Sequence, residues 1–325
     1  MSPIASVIVA AHDAAPYVGE AIASALAQTL REIEVIIVDD GSADGTWEAI
    51  SVLARRDSRV VPLRLPHRSG APAARNAALA RATGRWLAVL DADDLFLPER
   101  LARLVALAEA AGADLLADNL LERDFASGAD LGRHFPDAAM AHAGPLPLTE
   151  LVRRNMTDMP GRARIGYAKP ILRREFLLGH GLRYEEEVLS GHDFLLYFEC
   201  VARGGRFHLT PEAHYVYQVR EGSLSAQRTS ILYHSLANRR MLRLAASLGE
   251  REAKALLRRR QRLIDFYCFA LAAERGEVRA ALNYAHLGGV GPMLRQTRVA
   301  AGAARRRLAA RAAAAWEWAK ARQTW

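Results

Sequence analysis

The sequence predicts an α/β fold: a mostly parallel sheet flanked by helices, followed by a helical, basic C-terminal extension. Three observations carry this. Short β-branched apolar runs alternate with helix-period segments over roughly the first 120 residues, the βαβα order of a parallel sheet. Several of those runs end in Gly and acidic turn residues. From about residue 226 onward the pattern is helical and charged, without strand signals.

The elements follow in order. "ASVIVAA" (5–11) is a buried strand by its β-branched run. A helix follows with Tyr17, Ile22 and Leu26 on one face, joined by Val18 and Ala25. "EVIIVDDGS" (34–42) is a second buried strand that stops at Gly41, and "SADGTWEAISVLARR" starts and continues a helix. "RVVPLRL" (59–65) is a weaker strand whose Pro62 indicates an edge. "GAPAARNAALARATG" (70–84) has Pro72 at a helix start and Gly84 at its stop. A strand "RWLAVLDADD", a helix "LPERLARLVALAEAAG" and a strand "ADLLADNLLE" complete the series. Residues 125–168 lack periodicity and read as loops with a short helix. In "HDFLLYFECVARGG", Phe194, Tyr197, Phe198 and Val201 fall at helical spacing, giving an amphipathic helix that Gly204 and Gly205 end.

Composition narrows the class. At 325 residues the chain can bury one large core, or a core with an appendage. Two cysteines, Cys200 and Cys268, give no metal spacing and no disulfide framework, which fits a reducing cytosol. The N-terminal segment has no basic run ahead of its apolar core, so a signal peptide is not expected. No apolar run approaches the ~18 residues of a bilayer span. The net charge of +8 is concentrated in residues 291–325, which hold eight Arg or Lys and one Glu. A basic total therefore describes a tail rather than the body.

The chemistry gathers at strand ends. In a parallel sheet, ligands bind beyond the carboxyl ends of the strands. Three such ends carry acids: Asp13, the Asp39–Asp40 pair, and Asp91 with Asp93. In "LDADD" the carboxylates repel unless a cation or hydrogen-bond donors compensate. Mg²⁺ or Mn²⁺, bound through one or two carboxylates plus substrate phosphates, suits a D-x-D at this place. A capped turn ahead of the next helix uses the same residues. No G-x-G-x-x-G follows the first strand and no G-x-x-x-x-G-K-[ST] occurs, which removes dinucleotide and P-loop readings.

"SVIVAAHDAAPYVGEAIASALAQTLREIEVIIVDDGSADGT" with "GAPAARNAALARATGRWLAVLDADD" resembles the family 2 glycosyltransferases of the GT-A fold over about residues 4–225. "ADNL", "GYAKPILRREFLLGHGLRY" and "YVYQVREGSLS" are similar to the succinoglycan-type exopolysaccharide glucosyltransferases of bacteria. The resemblance implies a catalytic domain over 1–225, with a nucleotide-sugar half (1–120) and an acceptor-side half (121–225), then a helical region over 226–325. It implies a UDP-sugar donor, a lipid-linked oligosaccharide acceptor and inverting transfer of a hexose, with glucose the narrower expectation. It assigns Asp40 to the uracil edge, the Ala10, Ala11 and Asp13 turn to the nucleotide, and Arg75 to the base or diphosphate. Asp91 and Asp93 would serve ribose and metal, and Asp193 would be the general base. An acidic residue often precedes that base in the family; His192 stands there instead, and a cationic His192 would lower the pKa of Asp193. Without the resemblance, Asp193 also reads as a charge favoured at a helix N-terminus.

Other residues leave alternatives open. Lys169 fits a phosphate or acceptor contact, or a solvated lysine. "REGSLS" offers Arg220, Ser223 and Ser225 to the diphosphate, or forms a plain turn. Asp118 and Asn119 end a strand near the site, and His192, His208 and His214 fit packed histidines better than ligands. Arg305–Arg307, Arg311, Lys320 and Arg322 with Trp316, Trp318 and Trp325 suit a helix lying on an anionic membrane surface. This gives a cytoplasmic protein, peripheral on the inner face of the cell membrane. A catalytically idle binding component of a polysaccharide assembly complex is the alternative function. A nucleic-acid binder lacks interleaved aromatic and basic residues in the body.

Overall fold

The computed structural model describes residues 2–156, 164–220 and 230–274. The chain divides into two compact units, Met1–Arg260 and Gln261–Trp325. The first unit is built on one nine-stranded sheet.

Three parallel strands form its nucleus. β1 (Ala5–Ala11) lies between β2 (Ile33–Asp39) and β4 (Trp86–Asp91), and β3 (Val60–Arg64) flanks β2 at the edge. Val7, Val9, Val35, Ile37, Leu87 and Val89 are fully buried. Such strands are covered on both faces, so their apolar runs do not alternate. Pro62 sits on the edge strand, where a missing N–H costs no ladder bond on the open side. The register pairs Ala10 with both Val38 and Asp91, and Ala11 with Asp39, so the acidic strand ends lie level along one edge.

The flanking helices are α1 (Val18–Leu26), α2 (Thr46–Arg56), α3 (Ala71–Arg81) and α4 (Arg100–Ala111). The core stripe of α1 is Val18, Ala21, Ile22 and Ala25, while Tyr17 and Leu26 are only partly buried at its margins. Pro72 opens α3, as expected.

Past β4 the sheet departs from the simple series. β5 (Leu95–Phe96) follows the D-x-D turn, and β6 (Leu115–Asp124) does not pair with β4. β8 (Ile171–Arg173) inserts between them, antiparallel to both. β9 (Phe207–Val219) then runs parallel to β6, and β5 pairs with its far side. A three-residue strand shows no period. In β9 the pattern is broken around Pro211, where the β6–β9 register also shifts. The 125–168 segment contains more than loops and one helix: β7 (Asp130–Arg133), α5 (Asp137–Met140), α6 (Leu148–Arg153) and a 3-10 turn at Ile165–Tyr167.

After α7 (Arg174–Gly179), helix α8 (His192–Ala202) is buried on most sides rather than amphipathic. Phe194, Leu195, Leu196, Tyr197, Phe198 and Cys200 are all inside, because α9 (Ser230–Ser247), α6 and the 3-10 turn pack around it. The last described helix is α10 (Arg251–Glu274).

Two glycines set the turns that present acidic side chains. Gly41, after Asp40, has φ +65°, and a Cβ there would lie 2.6 Å from the His67 carbonyl carbon. Gly191 precedes α8 with φ +79°, and its Cβ would lie 2.9 Å from the His234 ring. Gly191→Ala is expected to cost about 1–3 kcal/mol, the usual range for a strained backbone. Gly179→Ala, with open space around it, should be near neutral. Urea unfolding of the two variants checks this; equal stability would remove the constraint on Gly191.

Candidate active site

The site forms where β4 ends. Asp91 closes that strand and Asp193 lies in the first turn of α8, where the helix dipole favours a carboxylate. Arg75, from α3, joins them. Its Nη2 donates to Asp91 Oδ1 and its Nη1 to Asp193 Oδ1, both at 2.6 Å. Lys169, just before β8, faces the other oxygen of each acid: its Nζ is 2.7 Å from Asp91 Oδ2 and 3.9 Å from Asp193 Oδ2. Two cations and two carboxylates thus alternate in a ring with one long edge. Tyr184 stacks over the Arg75 guanidinium at 5.5 Å.

The ring fixes protonation states. Burial alone would raise the pKa of Asp193, but Arg75, with Lys169 behind it, holds the carboxyl well below its ordinary range. Burial also opposes ionisation of Asp91, and Lys169 and Arg75 reverse that. Lys169 is pushed down by burial and up by the two acids, ending at about 12.

His192 is not the cation that its place beside Asp193 invites. Its Nε2 lies 2.7 Å from Arg75 Nη1, and a guanidinium only donates, so Nε2 must offer a lone pair. Burial lowers its pKa to about 4. The ring is therefore neutral imidazole with its proton on Nδ1.

The D-x-D turn is tied to the end of β9. The Asp91 N–H donates to the Tyr215 hydroxyl, which donates to Asp94 Oδ2. The Gln218 N–H donates to Asp94 Oδ1 and its side chain to the Asp93 carbonyl. Asp94 is buried, and desolvation together with Asp91 and Asp93 pushes its carboxyl well above the usual range. It is a structural acid facing inward. Arg220 stacks over Tyr17 at 5.0 Å, and its Nε donates to Asp93 Oδ2 at 2.6 Å.

Those contacts bear on a divalent cation. Among the described residues no group of three or more His, Cys, Asp or Glu is arranged to hold one. Both oxygens of Asp91 face cations, Arg75 on one and Lys169 on the other. Asp93 remains partly exposed, with Arg220 on one oxygen. One carboxylate plus diphosphate oxygens is a donor set that Mg²⁺ or Mn²⁺ accepts. The residues thus fit a cation that arrives with a diphosphate.

The remaining predicted residues divide. Ala10 and Ala11 end β1 beside Asp91 and Asp39. Asp13 adopts φ +46°; its N–H donates to Ser42 Oγ and its carboxylate accepts from Ala43 N–H, joining the first two strand-end loops. Asp40, expected at a nucleobase edge, is 3% exposed and accepts from the Ser69 and Gly70 amides at the start of α3. It holds that helix in place. Arg75, expected on the base or diphosphate, is engaged in the ring. Asp118 forms a fully buried pair with Arg100, and Asn119 binds the Phe135 backbone, so neither faces a ligand. Ser223 and Ser225 lie outside the described residues, as does the basic segment 291–325. Tyr184, Tyr215 and Gln218 are part of the arrangement without any motif to announce them.

Residues 6–164 match the family described as Glycosyl transferase family 2. The chain is 34% identical to the succinoglycan biosynthesis protein ExoU of Rhizobium meliloti over 262 residues, covering 79% of this chain and 74% of that protein. The chain belongs to glycosyl transferase family 2. It is 40% identical to ExoO of the same organism over 225 residues, 69% of this chain and 63% of that relative's length. A shorter match, 35% over 123 residues, joins 38% of it to 48% of WfaP of Escherichia coli, a UDP-Glc:alpha-D-GlcNAc-diphosphoundecaprenol beta-1,3-glucosyltransferase. Among solved structures, S. aureus TarS 1-349 in complex with UDP-GlcNAc aligns over 89% of this chain and 92% of its own, with a TM-score of 0.59 and 19% identity. The mannosyltransferase PcManGT of Pyrobaculum calidifontis, in complex with GDP-Man and Mn²⁺, aligns over 89% and 81% with a TM-score of 0.57 and 20% identity. The fold of this family 2 chain is accordingly GT-A. No helix among its described residues is long and apolar enough to cross a membrane.

The neutral state of His192 has a stability consequence. Its folded pKa of about 4 lies below the ordinary 6.5, so the unfolded chain takes up a proton first as pH falls. Stability contributed by this group is present above pH 6.5 and lost progressively towards pH 4. His192→Gln keeps an acceptor for Arg75 and should flatten that part of the curve. Urea melts at intervals between pH 7 and 4.5 test it; an unchanged slope in the variant would mean that His192 is already charged in the fold.

Proposed function

We propose that this protein transfers a hexose, glucose by the narrower likeness, from a UDP-sugar to a lipid-linked oligosaccharide in bacterial exopolysaccharide synthesis, with inversion at the anomeric carbon. The observation that carries the reading is the ionised carboxylate of Asp193, which Arg75 links to Asp91 of the D-x-D turn. The names of ExoO, ExoU and WfaP support the polysaccharide setting and, for WfaP, a UDP-glucose donor and a diphospho-lipid acceptor.

The chemistry follows from the positions of the groups. A divalent cation at Asp93 would neutralise the charge of the departing nucleoside diphosphate. Arg220, already paired with Asp93, is near enough to exchange that carboxylate for a phosphate oxygen. Asp193, at the ring's other end, takes the proton of the acceptor hydroxyl as it attacks. One base opposite a leaving group permits a single in-line displacement, the logic of inverting glycosidases. Arg75 fixes both the base and Asp91, so donor and acceptor meet in a defined geometry. On this reading the enzyme works on the cytoplasmic face of the membrane, with the basic 291–325 segment as its contact with anionic lipid.

Two substitutions separate the roles. Asp193→Asn should bind UDP with Mn²⁺ as the unmodified protein does, while transfer falls by about 10²–10⁴-fold. That is roughly 3–5 kcal/mol of transition-state stabilisation. Asp93→Ala should instead lose the metal-dependent part of UDP binding. Calorimetry with and without Mn²⁺, beside a transfer assay, reads both. Full transfer by Asp193→Asn would make another group the base, and unaltered metal-dependent binding by Asp93→Ala would move the cation elsewhere.

A further inference from the structure

The fold invests heavily in placing one lysine. Lys169 precedes Pro170, which restricts its backbone to extended conformations. The Ala168 carbonyl accepts from the Tyr197 hydroxyl at 3.0 Å, and the Lys169 carbonyl accepts from Arg100 Nη2 at 2.5 Å. Arg100 is itself fully buried against Asp118. Helices α8 and α4 and strand β6 thus converge on a short irregular segment and aim a single side chain, 9% exposed, into the ring.

Its two ionic contacts are unequal. The ammonium is within hydrogen-bond distance of Asp91 Oδ2, but Asp193 Oδ2 is 3.9 Å away, too far for a direct bond. Of the four edges of the ring this one alone is open. An oxygen atom placed about 2.8 Å from both atoms would complete it, accepting from the ammonium and donating to the carboxylate. A phosphate oxygen cannot do this, because it has no proton to give Asp193. A hydroxyl can. At Asp93, the far acid of the D-x-D, the cation is Arg220 rather than Lys169.

We propose that the Lys169–Asp193 edge is the seat of the attacking hydroxyl, with Lys169 donating a hydrogen bond to its oxygen while Asp193 Oδ2 accepts its proton. This rests on the reading of Asp193 as the base. As a lone pair of the hydroxyl oxygen forms the bond to the anomeric carbon, the O–H bond breaks: its electron pair stays on the oxygen and its proton passes to Asp193. The bond to the diphosphate breaks with its electron pair. The ammonium stays protonated throughout and stabilises the partial negative charge on the nucleophile, while its bond to Asp91 holds it in line.

Lys169→Ala and Lys169→Met should both bind UDP with Mn²⁺ within about threefold of the unmodified protein. Hydrolysis of UDP-glucose, with water as the probe hydroxyl, should fall at least tenfold in both. Ethylammonium should restore part of the lost rate to Lys169→Ala, whereas tetramethylammonium, which has charge but no N–H, should not. Thermal melts of both variants monitor folding. Tenfold weaker UDP binding in folded variants would make Lys169 a phosphate contact, and an undiminished rate, or equal rescue by tetramethylammonium, would also overturn the proposal. Asp193→Asn assayed in parallel keeps the two ideas apart: if it retains hydrolysis while Lys169→Ala loses it, the base assignment fails and the hydroxyl contact of Lys169 stands.

Discussion

Arg75 is the interaction on which the site depends. A buried guanidinium without partners would cost several kcal/mol, so its charge has to be met inside the protein. Asp91 and Asp193 meet it, and they come from distant parts of the chain: one ends the central strand β4, the other lies in the first turn of α8. One side chain on α3 therefore ties the end of β4 to the start of α8. Asp40 supports it indirectly by holding the residues just ahead of that helix through the Ser69 and Gly70 amides. Gly191 supports it from the other side by allowing the left-handed turn that points Asp193 inward.

Electrostatics explains why so many acids are tolerated in a short stretch. Asp91 is balanced by Arg75 and Lys169, and Asp93 by Arg220. Asp94 is hydrogen-bonded by Tyr215 and Gln218, with burial favouring its neutral form. The three adjacent carboxyl groups thus occupy three different environments. Asp91 and Asp93 keep partly exposed side chains, whereas Asp94 is buried.

Much of this was legible in the sequence, in a particular way. The strands around β1, β2 and β4 are long apolar runs, and central parallel strands must be so because both faces are covered. Their acidic ends, and Asp193 at the head of "HDFLLYF", stood out for the same reason: charge abutting a buried segment demands an explanation. What pairs with what was not legible. Lys169 and Asp91 are 78 positions apart, and nothing in "YAKPIL" separates a ring partner from a solvated lysine. β8 is too short for a period, and Pro211 interrupts β9, so the antiparallel insertion could not be foreseen. The charge of His192 was not legible either, because sequence proximity to Asp193 says nothing of the guanidinium on its other side.

The proposed transfer needs one base on one side of the sugar, facing a leaving group anchored on the other. The anomeric configuration of the product tests that most directly. With an α-linked UDP-hexose as donor, proton NMR of the product formed before mutarotation or further reaction should show the large H1–H2 coupling of a β-gluco linkage. A small coupling, from a retained α-linkage, would contradict the single-displacement geometry and the assignment of Asp193 as its base.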